Sequence, residues 1–143
     1  MILFDVNVVV ALQRRDHDHH RIVRPWFDGL RASGATFGVP ATVWASYVRL
    51  TTNSRVSPEP TPLVEAFGFI DDVVRQSGYR PIGPGPRHLD VLRAVCVDAN
   101  ARADLVPDAF LAAVAIENAA TIASFDRDFA RFEGLRWIIP EAA

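Results

Sequence analysis

Short apolar runs of strand length alternate along this chain with longer stretches of helical period, and that alternation commits it to an α/β fold with a central, mostly parallel sheet flanked by helices. Ile2, Leu3 and Phe4 read as a first buried strand, and residues 36–39 as a second. Residues 7–13 and 19–31 are helical between them, the longer helix burying Ile22, Val23, Trp26, Phe27 and Leu30. Pro40 opens a helix to about residue 52. The proline-rich stretch 53–62 is a loop. Residues 63–76 return Leu63, Val64, Phe67, Ile70, Val73 and Val74 at helical spacing. Residues 80–83 read as a short strand, and residues 88–101 as a helix with 103–106 as its exit loop. A long apolar helix from Pro107, a strand ending at Ala123, a helical turn over 128–132 and a strand over 137–139 complete the pattern.

Acids punctuate it. Asp5 closes the first strand, Asp108 stands at the start of the long apolar helix, and Asp126 and Asp128 follow the strand that ends at Ala123. Carboxyl ends of parallel strands share one crevice, where sites of open α/β sheets lie. Several carboxylates in one crevice repel one another unless a divalent cation holds them, and hard oxygen donors suit magnesium or manganese. The pattern points to a metal site that works on phosphate.

Bulk properties narrow the class. The chain's 143 residues suffice for one domain with a continuous core, and neither a repeat nor a linker divides residues 1–143. No apolar run spans a bilayer, and the start lacks a signal peptide's basic, apolar and small-residue regions, so the chain reads as cytoplasmic with no membrane partner. The lone Cys96 forms no internal disulfide and reads as a small buried hydrophobe. A net charge of −2 argues against an all-round basic nucleic-acid binder. All 15 basic residues are Arg, which grips phosphate and stacks on bases; GC-rich coding is the plainer explanation for the missing Lys.

Three segments carry a family resemblance. Phe4-Asp5-Val6-Asn7, the stretch from Leu105 through Asp108 to Ala113, and Ala120 through Ser124, Asp126 and Asp128 to Phe129 resemble, in order and near spacing, the acidic motifs of PIN-domain nucleases, particularly VapC-type toxins. Residues 132–137 resemble the family's close, so the likeness spans nearly the whole chain. There is one departure. The family usually has Glu on the helix after the second strand, and the aligned position here is Ser46, which offers a hydroxyl and no charge.

The resemblance implies a PIN-like domain that hydrolyses RNA phosphodiesters with magnesium or manganese as the toxin of a toxin–antitoxin pair. It implies Asp5, Asp108 and Asp126 as catalytic acids and metal ligands, with Asp128 as a possible fourth ligand. Asn7, Ser46 and Ser124 would steady them. Arg127 would contact phosphate; its alternative is an exposed pair with Asp128. Arg49 and Asn53 share roughly one helix face with Ser46 and would approach the RNA backbone, unless they form a solvated rim. A cognate antitoxin and a homodimer are the implied protein partners, and residues 63–74, apolar on more than one face, are core or such an interface.

Each signal has a plain structural explanation. Asp108 after Pro107 suits a helix start, Asp126 suits a cap, and Asp5 alone has few structural excuses. Glu117, nine residues past Asp108, points away from it and reads as solvent-facing; Asp104 reads as a solvated loop acid. His17-Asp18-His19-His20 fits no zinc spacing, with Asp16 or Asp18 capping the helix, and His88 reads as a surface residue. Two other functions stand open: a silent relative that binds RNA or antitoxin, favoured by Ser46, and a phosphotransfer domain with Asp5 as nucleophile. The second lacks the Lys and the Asp-x-Asp start such sites use.

Overall fold

The computed structural model describes residues 1–142; Ala143, the last residue of the expected 1–143 domain, lies outside the described residues. Four short strands form one sheet in the order β2-β1-β3-β4, and every pairing is parallel. They are β1 (Ile2–Phe4), β2 (Phe37–Gly38), β3 (Thr121–Ala123) and β4 (Arg136–Ile138). The sheet is α/β as its alternating pattern requires, and parallel throughout. Six helices connect the strands: α1 (Val6–Gln13), α2 (His20–Ala32), α3 (Ala41–Thr51), α4 (Leu63–Val74), α5 (His88–Ala99) and α6 (Leu105–Glu117). None of them is long and apolar enough to cross a membrane.

Parallel pairing brings the carboxyl ends of β1 and β3 side by side, with Phe4 opposite Ala123 and the Asp5 N–H donating to the Ala123 carbonyl at 3.1 Å. Both strands are buried at those ends because their side chains are wholly apolar there. Phe4 stacks on Phe37 at 5.2 Å, and Phe27 meets Phe37 edge-on at 5.2 Å, which ties β1, β2 and α2 together. On the other side α6 presents Ala109, Ala112, Ala113 and Ala115, all buried, so its backbone approaches the core closely.

Several expectations need correcting. Helix α6 begins at Leu105, not Pro107, so residues 105 and 106 are its first turn and not a loop. First-turn N–H groups have no intrahelical acceptor, so a proline at the third position loses nothing. Residues 80–83 form no strand; only Tyr79 bridges Phe37. Helix α4 buries Ala66 and Val73, while Leu63, Val64 and Phe67 are exposed, Val64 by 87%. Cys96 is half-buried. His88 is buried against Phe110, with ring centroids 4.6 Å apart. Glu117 is half-buried rather than simply solvent-facing. Its carboxylate accepts the Gly85 and Arg87 N–H groups at 2.8 Å each, and so anchors the turn that enters α5. Asp16 pairs with Arg14 at 2.7 Å, and His19 occupies the cap position of α2, so neither Asp16 nor Asp18 caps it.

Candidate active site

Asp5 sits where β1 turns into α1, and both carboxylate oxygens are engaged. Oδ1 accepts the Val6 N–H at 2.7 Å, which makes Asp5 the cap of α1, a structural duty its sequence context did not suggest. Oδ2 accepts the Ser124 hydroxyl at 2.6 Å and the Asn7 amide at 3.1 Å. The fully buried Ser124, at the end of β3, is the hub. Its Oγ also accepts from Asn7 Nδ2 at 3.0 Å and from the Asp126 N–H at 3.0 Å. Asn7 Oδ1 in turn accepts the Phe125 N–H at 3.2 Å. Asn7 and Ser124 therefore tie β1 to the loop after β3.

That loop carries the next acids. Asp126 caps a 3-10 turn, Arg127–Arg131, by accepting the Asp128 N–H at 2.8 Å. Asp108, in the first turn of α6, was given a capping explanation, yet its carboxylate takes no hydrogen bond among the described residues. It instead meets Asp126 and Asp128: each of the three offers an oxygen, and these lie within 4.8 Å of one another. The sequence-derived acids thus come together, with Asp5 behind the trio and not within it. Asp104 is exposed at the helix cap and stands apart from the trio.

The crowding has an electrostatic signature. Burial, then the charges of Asp126, Asp5 and Asp128, push the Asp108 carboxyl from the ordinary 3.8 to about 6. Burial also raises Asp5, opposed by its Ser124 and Val6 hydrogen bonds and reinforced by Asp126. The sign for stability follows. Folded Asp108 holds its proton to about 6 while the unfolded chain releases it near 3.8, so this contribution is complete below 3.8 and gone above about 6. We expect Asp108→Asn to gain stability relative to the parent between about pH 4 and about pH 7 in chelator, read by urea unfolding. A pH-independent difference would mean that neither burial nor the neighbouring acids perturb Asp108.

A cleft of about 480 Å3 opens beside these acids, and Asp5, Thr42, Ser46, Arg49, Asp108 and Phe110 are among its lining residues. Ser46 and Arg49 thus line the same cleft as Asp5 and Asp108. Thr42 was overlooked, although its place four residues before Ser46 on α3 is the helical signal that would have found it. Asn53 is not among the cleft's described lining. Its side-chain carbonyl accepts the Arg55 N–H at 2.9 Å, and its backbone carbonyl accepts from Val56 and Ser57, so it builds the loop after α3. Arg127 is exposed beside Asp126, and the cation that pairs with Asp128 is Arg131, at 3.6 Å.

The sequence matches the PIN domain family model over residues 2–135. This chain belongs to the PIN-domain family. Within it, the PIN chain is 51% identical over 140 residues to Ribonuclease VapC25 of Mycobacterium tuberculosis, covering 98% of this chain and 99% of that one. Ribonuclease VapC43 of the same species is 38% identical, with coverage of 98% and 95%. These identities make it a VapC-type member. Solved structures share the fold at lower identity. VapC20 of M. tuberculosis, a sarcin–ricin loop cleaving toxin, superposes with a TM-score of 0.65 at 17% identity, covering 95% of this chain and 99% of that one. The Rickettsia felis VapBC2 complex, bound to a promoter DNA fragment, gives a TM-score of 0.68 at 14% identity, covering 97% and 98%.

Proposed function

We propose that this PIN-domain protein is a metal-dependent endoribonuclease, the toxin of a toxin–antitoxin pair, acting in the cytoplasm as one domain of residues 1–143. The observation that carries the reading is the meeting of the Asp108, Asp126 and Asp128 oxygens within 4.8 Å, beside Asp5, in a chain half identical to proteins named ribonucleases. Carboxylates so crowded, with Arg131 the one cation paired to them among the described residues, fit a divalent cation with hard oxygen preference, magnesium or manganese. When bound, such a cation supplies charge balance and lowers the pKa of the attacking water.

The protein's own groups do the rest. Asp108, Asp126 and Asp128 would hold the cation, with Asp5 as a further acid whose Oδ1 carries a single hydrogen bond. Asp126 orients the attacking water. Asn7 and Ser124 fix the Asp5 rotamer, so the acid does not swing when RNA arrives. Arg49 on the cleft wall and the exposed Arg127, next to Asp126 in the chain, grip the RNA backbone.

An antitoxin partner is supported by the fold neighbours that are toxin–antitoxin assemblies, and by the exposed Leu63, Val64 and Phe67 of α4. A homodimer belongs to the same proposal. The test is cleavage of a labelled total-RNA pool by the purified chain with manganese and with chelator. Manganese-dependent fragments are expected; a folded protein that cuts nothing with manganese sinks the reading.

Ser46 favours a second reading, a weak or silent nuclease that acts by binding RNA or antitoxin, because the cleft wall facing Asp5 and Asp108 carries no acid on α3. Ser46→Glu adds that charge. We expect it to tighten manganese binding by about tenfold and to raise cleavage at limiting metal. Cleavage that appears only in Ser46→Glu would establish the silent reading.

A further inference from the structure

The run His17-Asp18-His19-His20 forms no metal grip, and its imidazoles do different things. His17 Nδ1 accepts the His19 N–H at 3.1 Å, and His20 Nδ1 lies 2.8 Å from the Ala11 carbonyl at the end of α1. His19 differs: its ring nitrogens make no hydrogen bond among the described residues. The ring instead lies nearly flat on Phe125, with centroids 3.8 Å apart and planes 21° from parallel. Both rings are half-buried, so the pair is neither core nor free surface.

Its position is fixed by the acidic site. Phe125 lies between Ser124 and Asp126, and its N–H is held by Asn7, so any movement of the stack would disturb the network around Asp5. His17 flanks His19 at 5.6 Å. Beyond it runs a groove of about 350 Å3 whose lining includes Asn7, Val10, His17, Leu50 and Val56. Apolar walls, flat rings and unused imidazole nitrogens next to a phosphate-handling site match the chemistry of an unpaired base, which has a π face and a hydrogen-bonding edge.

We propose that the His19–Phe125 stack is a nucleobase subsite, holding the unpaired base of a nucleotide next to the phosphate at Asp108, Asp126 and Asp128. The proposal rests on the RNA-cleaving reading above. The base stacks on the open face of the His19–Phe125 pair, which leaves the in-plane His19 nitrogens to meet the neighbouring nucleotide. The subsite selects single-stranded or looped RNA, since a base in a duplex presents no free face.

The test uses the full chain carrying Asp108→Asn, a residue away from the stack, with manganese and a single-stranded RNA in which 2-aminopurine is moved along the sequence. Quenching at one or two positions is expected. His19→Ala and Phe125→Leu should each weaken that binding about tenfold, with His19→Phe restoring most of it. Quenching that is absent throughout, or equal in His19→Ala, overturns the proposal, as does His19→Phe binding no better than His19→Ala. Thermal melts show whether each variant is folded. Cleavage by the chain with Asp108 intact, run in parallel, judges the nuclease reading separately: quenching without cleavage leaves the subsite standing and removes the chemistry.

Discussion

Asp5→Asn lowers RNA cleavage at saturating manganese by at least about 100-fold in kcat/KM while the chain stays folded. Asn keeps the size of Asp and can still accept the Val6 N–H, so α1 remains capped. What changes is charge and polarity. One negative charge leaves the crevice, and an amide N–H2 that takes the place of Oδ2 would face the Ser124 hydroxyl and the Asn7 amide, donor against donor. Ser124→Ala tests the same network without removing charge, and should cost about 10- to 100-fold. Initial rates on a labelled RNA, with melting curves alongside, read both. An Asp5→Asn protein with parental kcat/KM would place the chemistry elsewhere.

Phe4→Ala costs about 3–5 kcal/mol of folding stability, a large share of the 5–15 kcal/mol typical of a domain. Phe4 is fully buried and meets Trp26 at 5.4 Å, Phe27 at 5.9 Å and Phe37 at 5.2 Å, so the cavity would open where β1, β2 and α2 converge. Those contacts come from separate elements that cannot close in without breaking the sheet register. Phe4→Leu refills most of the space and should lose far less. Urea unfolding measures both, and a Phe4→Ala loss below about 1 kcal/mol would contradict the packing account.

Much of this architecture is legible in the sequence because it rests on local periodicity. The apolar run of β1, the helical spacing of α2 and α3, and the acids after β1 and β3 depend on neighbours a few residues away. What escaped depends on distant partners. Glu117 lies 32 residues from the Gly85 N–H it accepts, and nothing near Glu117 announces that bond. His88 is buried by Phe110 on another helix, so its own surroundings give no sign of it. For α4 the period is right and the apolar residues do cover more than one face: spacing reveals that such a stripe exists, and the rest of the chain decides which part of it is covered. The acids show the same limit. Sequence context assigned a capping role to Asp108 and none to Asp5, whereas Asp5 caps and Asp108 is free to meet the other carboxylates.

The Ser124 hydroxyl donates one hydrogen bond and accepts two, which uses all of its capacity. Its saturation means that the orientation of Asp5 and the start of the loop bearing Asp126 are settled when the sheet forms, before any ligand arrives. The reorganisation that a flexible cluster of acids would undergo at each encounter is completed once, during folding. The folded protein therefore presents Asp5 and the root of the Asp126 loop in fixed places beside the unheld Asp108 carboxylate. On the proposed reading, a bound cation would relieve the crowding of these carboxylates rather than shape the site.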